Sequence, residues 1–197
     1  MVTSAVVKCF AIALLAVAMF ASVGRAADAK PAKATKSPKT ETLVAHGKYL
    51  VTTIGGCNDC HTPLKMGANG PEPDMSRMLS GHPASLVITA APKLDDPWGW
   101  AGSNSMTAFA GPWGLSFAMN LTPDVETGIG AWTEQAFIGA MRSGKHMSTG
   151  RPILPPMPWQ GIGQMTDADL KSIYAYLTTI PPIKNVVPAP IPPAPAK

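Results

Sequence analysis

Two cysteines and a histidine stand within five consecutive residues, Cys57-Asn58-Asp59-Cys60-His61. The two thiols are about one helical turn apart, which suits addition to the two vinyl groups on one edge of a porphyrin. The imidazole that follows them can then ligate the iron. The motif therefore predicts one covalently bound haem c, with Cys57 and Cys60 as attachment residues and His61 as the proximal ligand.

Other uses of this cysteine pair need residues that the chain lacks. A structural zinc site usually takes four ligands in two spaced pairs, and a cubane iron–sulfur cluster takes four cysteines. The whole sequence holds three cysteines and four histidines. A thioredoxin-like dithiol needs a strand–helix–strand context, and no strand-rich sequence flanks the motif. The composition thus favours haem attachment over zinc, cluster and dithiol chemistry.

The second axial ligand of the iron is harder to assign, because the chain contains 11 methionines. Met157 stands in Leu154-Pro155-Pro156-Met157-Pro158-Trp159, where the prolines stiffen the loop and leave the thioether little entropy to lose. We predict Met157 as the distal ligand. His146 is the main alternative, although the corner Gly144-Lys145-His146 is expected to face solvent. Another residue, or an open position, is the third alternative.

Three segments carry helical signals and would position these ligands. Apolar residues recur at helical spacing in residues 42–53, which stop before a pair of glycines. Residues 133–143 open on a capping threonine and end before a glycine. Residues 166–179 open on Thr-Asp-Ala-Asp, a shortened capping box, and end at two prolines. The sequence predicts three helices around the haem motif and the methionine loop.

The segment between Thr62 and Asn120 is rich in turns and predicts no helix. A segment of that length inside a compact domain needs a scaffold to fold against. It carries two tryptophan motifs, Pro97-Trp98-Gly99-Trp100 and Pro112-Trp113-Gly114-Leu115. Two interpretations are open: these aromatics cover the haem edge, or they fill a small core of the loops.

Both ends of the chain differ in composition from its middle. Residues 1–27 contain a lysine, then an apolar run, then small residues, which is the pattern of a secretory signal peptide. The apolar run is shorter than the roughly 20 residues that a helix needs to span a bilayer. Residues 28–41 are predicted to be a disordered Lys/Ala/Pro linker, and residues 184–197 an extended Pro-rich tail, packed on the surface or free. Residues 42–183 are left as the folded domain. The mature protein is expected in the periplasm with no membrane span, or membrane-anchored if the signal is not cleaved.

The net charge of +4 does not indicate a nucleic-acid partner. Much of the positive charge lies in the signal and linker regions, whereas acidic residues slightly outnumber basic ones in residues 43–180. A protein that binds a phosphate backbone shows a basic patch or stripe on its folded part. No nucleic-acid partner is therefore predicted.

The order of these motifs, from haem motif to Pro-flanked methionine to last helix, resembles a class I cytochrome c. Residues 43–183 are similar to the single-haem domains in bacterial cytochrome subunits of membrane-linked dehydrogenases. The matching stretches are Gly47-Lys48-Tyr49-Leu50, Gly55-Gly56-Cys57-Asn58-Asp59-Cys60-His61-Thr62, Asn120-Leu121-Thr122-Pro123-Asp124, Thr127-Gly128-Ile129-Gly130-Ala131-Trp132-Thr133, Pro155-Pro156-Met157-Pro158-Trp159 and Tyr174-Ala175-Tyr176-Leu177.

The resemblance implies an all-α class I cytochrome c fold with a long Pro/Gly/Trp-rich loop insertion. It also implies that Gly47 packs against Tyr176 where the first and last helices cross, and that Met157 is the distal ligand. Such dehydrogenase subunits often carry three haem domains, whereas this chain has one C-x-x-C-H motif.

Ligation of the iron by a histidine and a methionine raises the potential and closes both axial positions, which suits outer-sphere electron transfer. The expected function is therefore a periplasmic electron carrier rather than an enzyme. Its partners would be redox proteins: a dehydrogenase, a terminal oxidase or a respiratory complex. Two alternatives are a permanent electron-relay subunit of a periplasm-facing dehydrogenase, and a haem enzyme or gas sensor with a labile distal ligand.

Overall fold

The computed structural model describes residues 38–194, so the predicted signal peptide, most of the linker and the last three residues lie outside the described residues. Helix α1 (Pro38–Tyr49) begins before the predicted start at Thr42 and continues into a π-helical turn, Leu50–Ile54. Proline suits the first turn of a helix, where its missing N–H would have no partner, and Glu41 is favoured there by the helix dipole. The last residues of the predicted linker are therefore helical.

The two later helices begin and end close to the predicted positions. Helix α3 (Glu134–Ser143) is capped by Thr133, whose hydroxyl accepts a hydrogen bond from the Ala136 amide at 3.1 Å. Helix α5 (Asp167–Leu177) begins with a complete capping box, in which Thr166 and Asp169 bond each other's backbone amides. The remaining helices are short: α2 (Cys57–His61) and α4 (Trp159–Ile162). Among residues 38–194, no helix is long and apolar enough to cross a membrane.

Helices α1 and α5 cross at Gly47. A Cβ atom on Gly47 would lie 1.8 Å from the Ser172 carbonyl oxygen and 2.9 Å from the Tyr176 Cβ. No side chain larger than hydrogen fits between two backbones this close. The expected contact of Gly47 with Tyr176 is thus present, and it sets the distance between the two helices.

Gly47→Ala should lower the free energy of unfolding by about 3 kcal/mol, because the methyl group forces the helices apart. Gly161→Ala is the matched control: it also adds one methyl to a helical glycine, but no atom lies within 4 Å of the added carbon. Denaturant unfolding of the haem-loaded proteins measures both changes. Equal stabilities of the two variants would contradict the close crossing.

The prediction of an all-α fold is wrong, because five strands form two small antiparallel sheets. Strands β1 (Leu64–Gly67) and β2 (Gly70–Pro73) form a hairpin, and β3 (Ala101–Gly102), β4 (Ala108–Gly111) and β5 (Gly114–Phe117) form a three-stranded sheet in that order. Both sheets lie within the turn-rich segment. The strands have at most four residues, too few for an alternating pattern to stand out.

Two-residue turns between glycines explain both hairpins. Gly67 pairs with Gly70 across Ala68-Asn69, and Gly111 pairs with Gly114 across Pro112-Trp113. Gly70 and Gly114 adopt positive φ angles of 115° and 92°, which side chains larger than hydrogen strongly disfavour. The glycines that suggested irregular loops are the residues that close these hairpins.

The described residues bury two apolar clusters. The larger one joins α1, α3 and α5 and includes Val51, Phe137 and Leu170. The smaller one lies on the three-stranded sheet and consists of Ala108, Ala110, Leu115 and Phe117. The turn-rich segment therefore brings a small core of its own.

The Pro-rich tail packs on that sheet as far as it is described. Ile191 exchanges two backbone hydrogen bonds with Leu115 of β5, at 2.8 and 2.9 Å. Asn185 is buried, and its amide group donates to the carbonyls of Ser80 and His82 at 2.7 and 2.8 Å. The tail covers one edge of the sheet and ties it to the loop after β2.

Candidate haem site

Helix α2 presents the cysteine–histidine motif and is fixed at both ends. It starts after Gly56, whose φ of 55° is left-handed. At its end, Thr62 donates to the Asn58 side chain at 2.9 Å and accepts a hydrogen bond from the Leu79 amide at 2.9 Å. The Gly81 amide donates to the carbonyl of His61 at 2.8 Å. A helix of a single turn thus keeps its position through its neighbours.

His61 is buried and has one ring nitrogen fixed by the backbone. Its Nδ1 lies 2.8 Å from the carbonyl oxygen of Met119, which can only accept, so Nδ1 carries the proton. Nε2 is then the nitrogen with a free lone pair. Burial lowers the pKa of His61 and keeps the ring neutral. Metal-ligating histidines commonly have this arrangement of a carbonyl on one nitrogen and the metal on the other.

Both cysteines of the motif are free thiols and half-buried. Burial raises the pKa of Cys57 to about 11, with smaller contributions from Asp59 and Cys60. Burial and the Asp59 carboxylate also raise the pKa of Cys60. The thiols are therefore protonated at neutral pH, which makes them weak metal ligands.

A cavity that is partly open to solvent adjoins the motif, with about 670 Å³ of free space when the solvent at its mouth is counted. Cys60 and His61 line one side, and Cys57 lies one turn earlier on α2, against the larger apolar cluster. The rest of the lining is mostly apolar and includes Phe109, Phe117, Leu121, Met141 and Ile153. In polarity and ligand chemistry, these residues fit a haem.

The predicted distal ligand borders the same cavity. Met157 is half-buried, and Leu154, Pro155 and Pro156 line the cavity beside it. Two backbone hydrogen bonds hold the ends of this loop: Ile153 donates to the Gly144 carbonyl at 2.7 Å, and Trp159 donates to the Met157 carbonyl at 2.9 Å. The structure thus brings Cys60, His61 and Met157 together around one space, and the assignment of Met157 as ligand stays a prediction.

His146 differs from the expectation that it faces solvent. It is half-buried and lines the cavity, and its ring centroid lies 6.1 Å from that of Trp132. The turn after α3 folds back because the His146 amide donates to the Arg151 carbonyl at 3.0 Å. Burial and the nearby Arg151 lower the pKa of His146 to about 4, so it is neutral at pH 7. His146 therefore remains the alternative distal ligand.

The tryptophans of the turn-rich segment do not line the cavity. Trp98 and Trp100 are exposed, at 72% and 47%, and Trp113 packs on the sheet. The aromatic wall is formed by Phe109 of β4 and Phe117 of β5 instead. Of the two interpretations offered for these motifs, the one in which they cover the haem edge receives no support.

Sequence reasoning missed several residues of the site. The Met119 carbonyl fixes His61 from a position 58 residues away, and Ser116 and Arg151 line the cavity. Among the described residues on this lining, Arg151 has the one side chain that is charged at neutral pH. The sequence offered no signal for Ser116 or Arg151. For Met119 it offered only the position directly before the motif that starts at Asn120, because a backbone carbonyl contact does not depend on residue type.

Comparison with known proteins supports a cytochrome c-like protein, although no family model matches the chain. The cytochrome c subunit of gluconate 2-dehydrogenase from Pantoea cypripedii is 37% identical over 136 residues, which cover 69% of this chain and 23% of that subunit.

The cytochrome subunit of fructose dehydrogenase from Gluconobacter japonicus is 38% identical over 72 residues, 36% of this chain and 15% of that subunit. The cytochrome c subunit of the quinone alcohol dehydrogenase from Gluconobacter oxydans is 27% identical over 136 residues, 69% of this chain and 21% of that subunit. The chain thus spans less than a third of the length of each of these relatives. The expected similarity to cytochrome subunits of bacterial dehydrogenases is therefore confirmed, whereas the single-haem class I assignment stays a prediction.

Proposed function

We propose that this protein holds one covalent haem c and passes single electrons between redox proteins. The observation that carries the proposal is the cavity that Cys60, His61 and Met157 share, with the Nδ1 of His61 already engaged by the Met119 carbonyl. A cytochrome needs these three elements together: an attachment thiol, an oriented imidazole and a second axial ligand.

Each residue has a defined role in this proposal. Cys57 and Cys60 would hold the haem covalently, each through one thioether to a vinyl group. His61 would hold the iron through Nε2, and Met157 would hold it through its thioether sulfur. Arg151 offers a guanidinium for a propionate carboxylate, which is its preferred partner.

When bound, the haem supplies one Fe(III)/Fe(II) couple. A neutral histidine and a soft thioether favour the ferrous state and so a high potential. With His61 and Met157 both bound to it, the iron would exchange electrons without binding oxygen or peroxide. We therefore assign it as an electron carrier rather than an enzyme.

A second candidate is a fixed electron-relay subunit of a periplasm-facing dehydrogenase. The names of several relatives support it, since they are cytochrome subunits of dehydrogenases. The amino-terminal sequence, with its pattern of a secretory signal, supports a periplasmic location for either role. Purification of a tagged protein from periplasm separates the two roles: a relay subunit copurifies with a dehydrogenase at a constant ratio, and a free carrier does not.

The proposal is tested on protein purified from a host that matures c-type cytochromes. The intact mass should exceed the polypeptide by one haem, and the haem should survive acid-acetone extraction. The ferrous protein should be low-spin and should not bind carbon monoxide readily. A high-spin spectrum with rapid carbon monoxide binding would instead support a haem enzyme or gas sensor.

Electron transfer to a soluble redox partner should depend only weakly on ionic strength. Among the described residues, the cavity lining offers a single charged side chain, Arg151, and the folded part of the chain is nearly neutral, so long-range steering is small. Replacing Lys30, Lys33 and Lys36 by glutamine should remove most of the remaining dependence and leaves α1 untouched.

Stopped-flow rates between about 10 mM and 0.5 M salt measure this effect, since the Debye length falls from ~30 Å to a few Å over that range. Lys93→Gln is the control, because Lys93 is an exposed lysine that pairs with Asp95 in the loop before β3. A hundredfold fall in rate for the triple variant would show that the folded domain itself carries a charged docking face.

A further inference from the structure

A hydroxyl group on the small sheet bonds the loop that carries Met157. The side-chain oxygen of Ser116, on β5, donates to the carbonyl of Pro155 at 2.6 Å. This is near the short end of the range for hydroxyl–carbonyl hydrogen bonds. The two residues are 39 positions apart, and Pro155 precedes Met157 by two residues. The bond therefore joins the turn-rich segment to the loop of residues 154–159, close to Met157.

The Ser116 hydroxyl is itself held in place. The indole Nε1–H of Trp113 donates to it at 3.2 Å, and the Phe109 carbonyl lies 3.3 Å away as a weaker acceptor. Since a hydroxyl has one proton, the shorter contact, with Pro155, is the bond it makes. Ser116 is only 7% exposed, so water competes little for that proton. Trp113 thus donates to Ser116, and Ser116 donates to Pro155 in the loop that carries Met157.

The strand that carries Ser116, β5, is hydrogen-bonded along both of its edges. Residue pairs Phe109–Ser116 and Ala110–Leu115 join β5 to β4, and Ile191 pairs with Leu115 from the other side. The side chains that flank Ser116 are buried, at 2% for Leu115 and 8% for Phe117. The Ser116 hydroxyl is therefore held in place by the sheet, whereas the backbone hydrogen bonds of the loop that it contacts lie at the two ends of that loop, at Ile153 and after Pro156.

We propose that Ser116 is a positioning residue for Met157, so that the three-stranded sheet restrains the loop that carries the distal ligand. The proposal rests on the ligand assignment made under the proposed function. Detachment of a methionine from iron requires its loop to move, and movement of Pro155 breaks the hydrogen bond from Ser116. The bond therefore lowers the population of the state in which the distal position is open.

The test is a titration of the ferric protein with imidazole, which binds where the methionine has left. Ser116→Ala should raise the imidazole affinity about threefold to tenfold, the value of one net hydrogen bond. Ser116→Thr keeps the hydroxyl and should restore the affinity of the unmodified protein. Trp113→Phe removes only the donor to Ser116 and should give a smaller increase, and it serves as the second variant if Ser116→Ala does not fold.

A matched control separates positioning from loss of stability. Ser105 is also 7% exposed, lies in the same turn-rich segment, and bonds Thr107 and Ser103 rather than the methionine loop. Ser105→Ala should lower stability without raising the imidazole affinity. Amide exchange gives an independent measure: the Ile153 and Trp159 amides should exchange faster in Ser116→Ala than in Ser105→Ala.

The two hypotheses fail in different ways. If Met157→Ala binds imidazole no more tightly than the unmodified protein, Met157 is not the ligand, and both hypotheses are overturned. If Met157→Ala binds more tightly while Ser116→Ala and Trp113→Phe match the unmodified protein, the ligand assignment stands and the positioning role of Ser116 is overturned.

Discussion

Replacing Cys57 and Cys60 together by serine should abolish covalent haem attachment altogether. With no thiol on α2, no C–S bond can form, and the intact mass should equal that of the polypeptide alone. Each single variant should keep one thioether, because the other thiol remains half-buried beside the site. Mass spectrometry after acid-acetone extraction measures the outcome.

The third cysteine of the chain provides the control. Cys9 lies within the apolar run of the predicted signal peptide. Cys9→Ser should leave the haem content unchanged. A double variant at Cys57 and Cys60 that still resists extraction would mean that another side chain binds the haem covalently.

Met157→Ala should keep the haem covalent but change its electronic properties. The near-infrared band from sulfur-to-iron charge transfer should disappear, because the thioether is gone. The reduction potential should fall on the order of 0.1–0.3 V, a part of the ~0.8 V range over which axial ligands set haem potentials. Near-infrared spectroscopy and redox titration check the two effects.

Two other variants test whether these effects are specific to Met157. Met165→Ala removes a methionine that packs on the larger apolar cluster but does not line the cavity, so its band and potential should be unchanged. His146→Ala tests the alternative ligand, which does line the cavity. If the unmodified protein lacks this band and the spectrum changes in His146→Ala but not in Met157→Ala, the distal ligand is His146. A band that persists in Met157→Ala would instead assign another methionine as the ligand.

The sequence predicted best where a single local rule decides the structure. Helices α3 and α5 follow from their capping threonines and from the glycine or prolines that end them. The start of α1 was misplaced because lysines and alanines suit a solvated linker and a helix equally well. Residues 39–41 are exposed, and the features that favour a helix there are local, because proline suits the first turn and Glu41 suits the helix dipole.

The strands, and the cavity residues that they carry, could not be predicted for a different reason. Four-residue strands between glycines carry too little pattern, and their pairing depends on turns that only the fold reveals. The same holds for His146, whose burial results from a backbone bond to Arg151 across a short turn. Residue type showed which groups could ligate iron, whereas their gathering around one cavity is a property of the folded chain.

The tail contacts also imply an order of events as the chain folds. Helix α2 and its anchoring bond from Thr62 to Asn58 are local in sequence, whereas Asn185 and Ser80, which join the tail to the loop after β2, are 105 positions apart. Contacts between distant residues close large loops and form late in folding. In a chain that emerges from its amino terminus, the cysteines are thus presented before the sheet side of the cavity is complete. Under the proposed function, we expect haem attachment at Cys57 and Cys60 to precede the tail contacts, which would complete the sheet side of the cavity last.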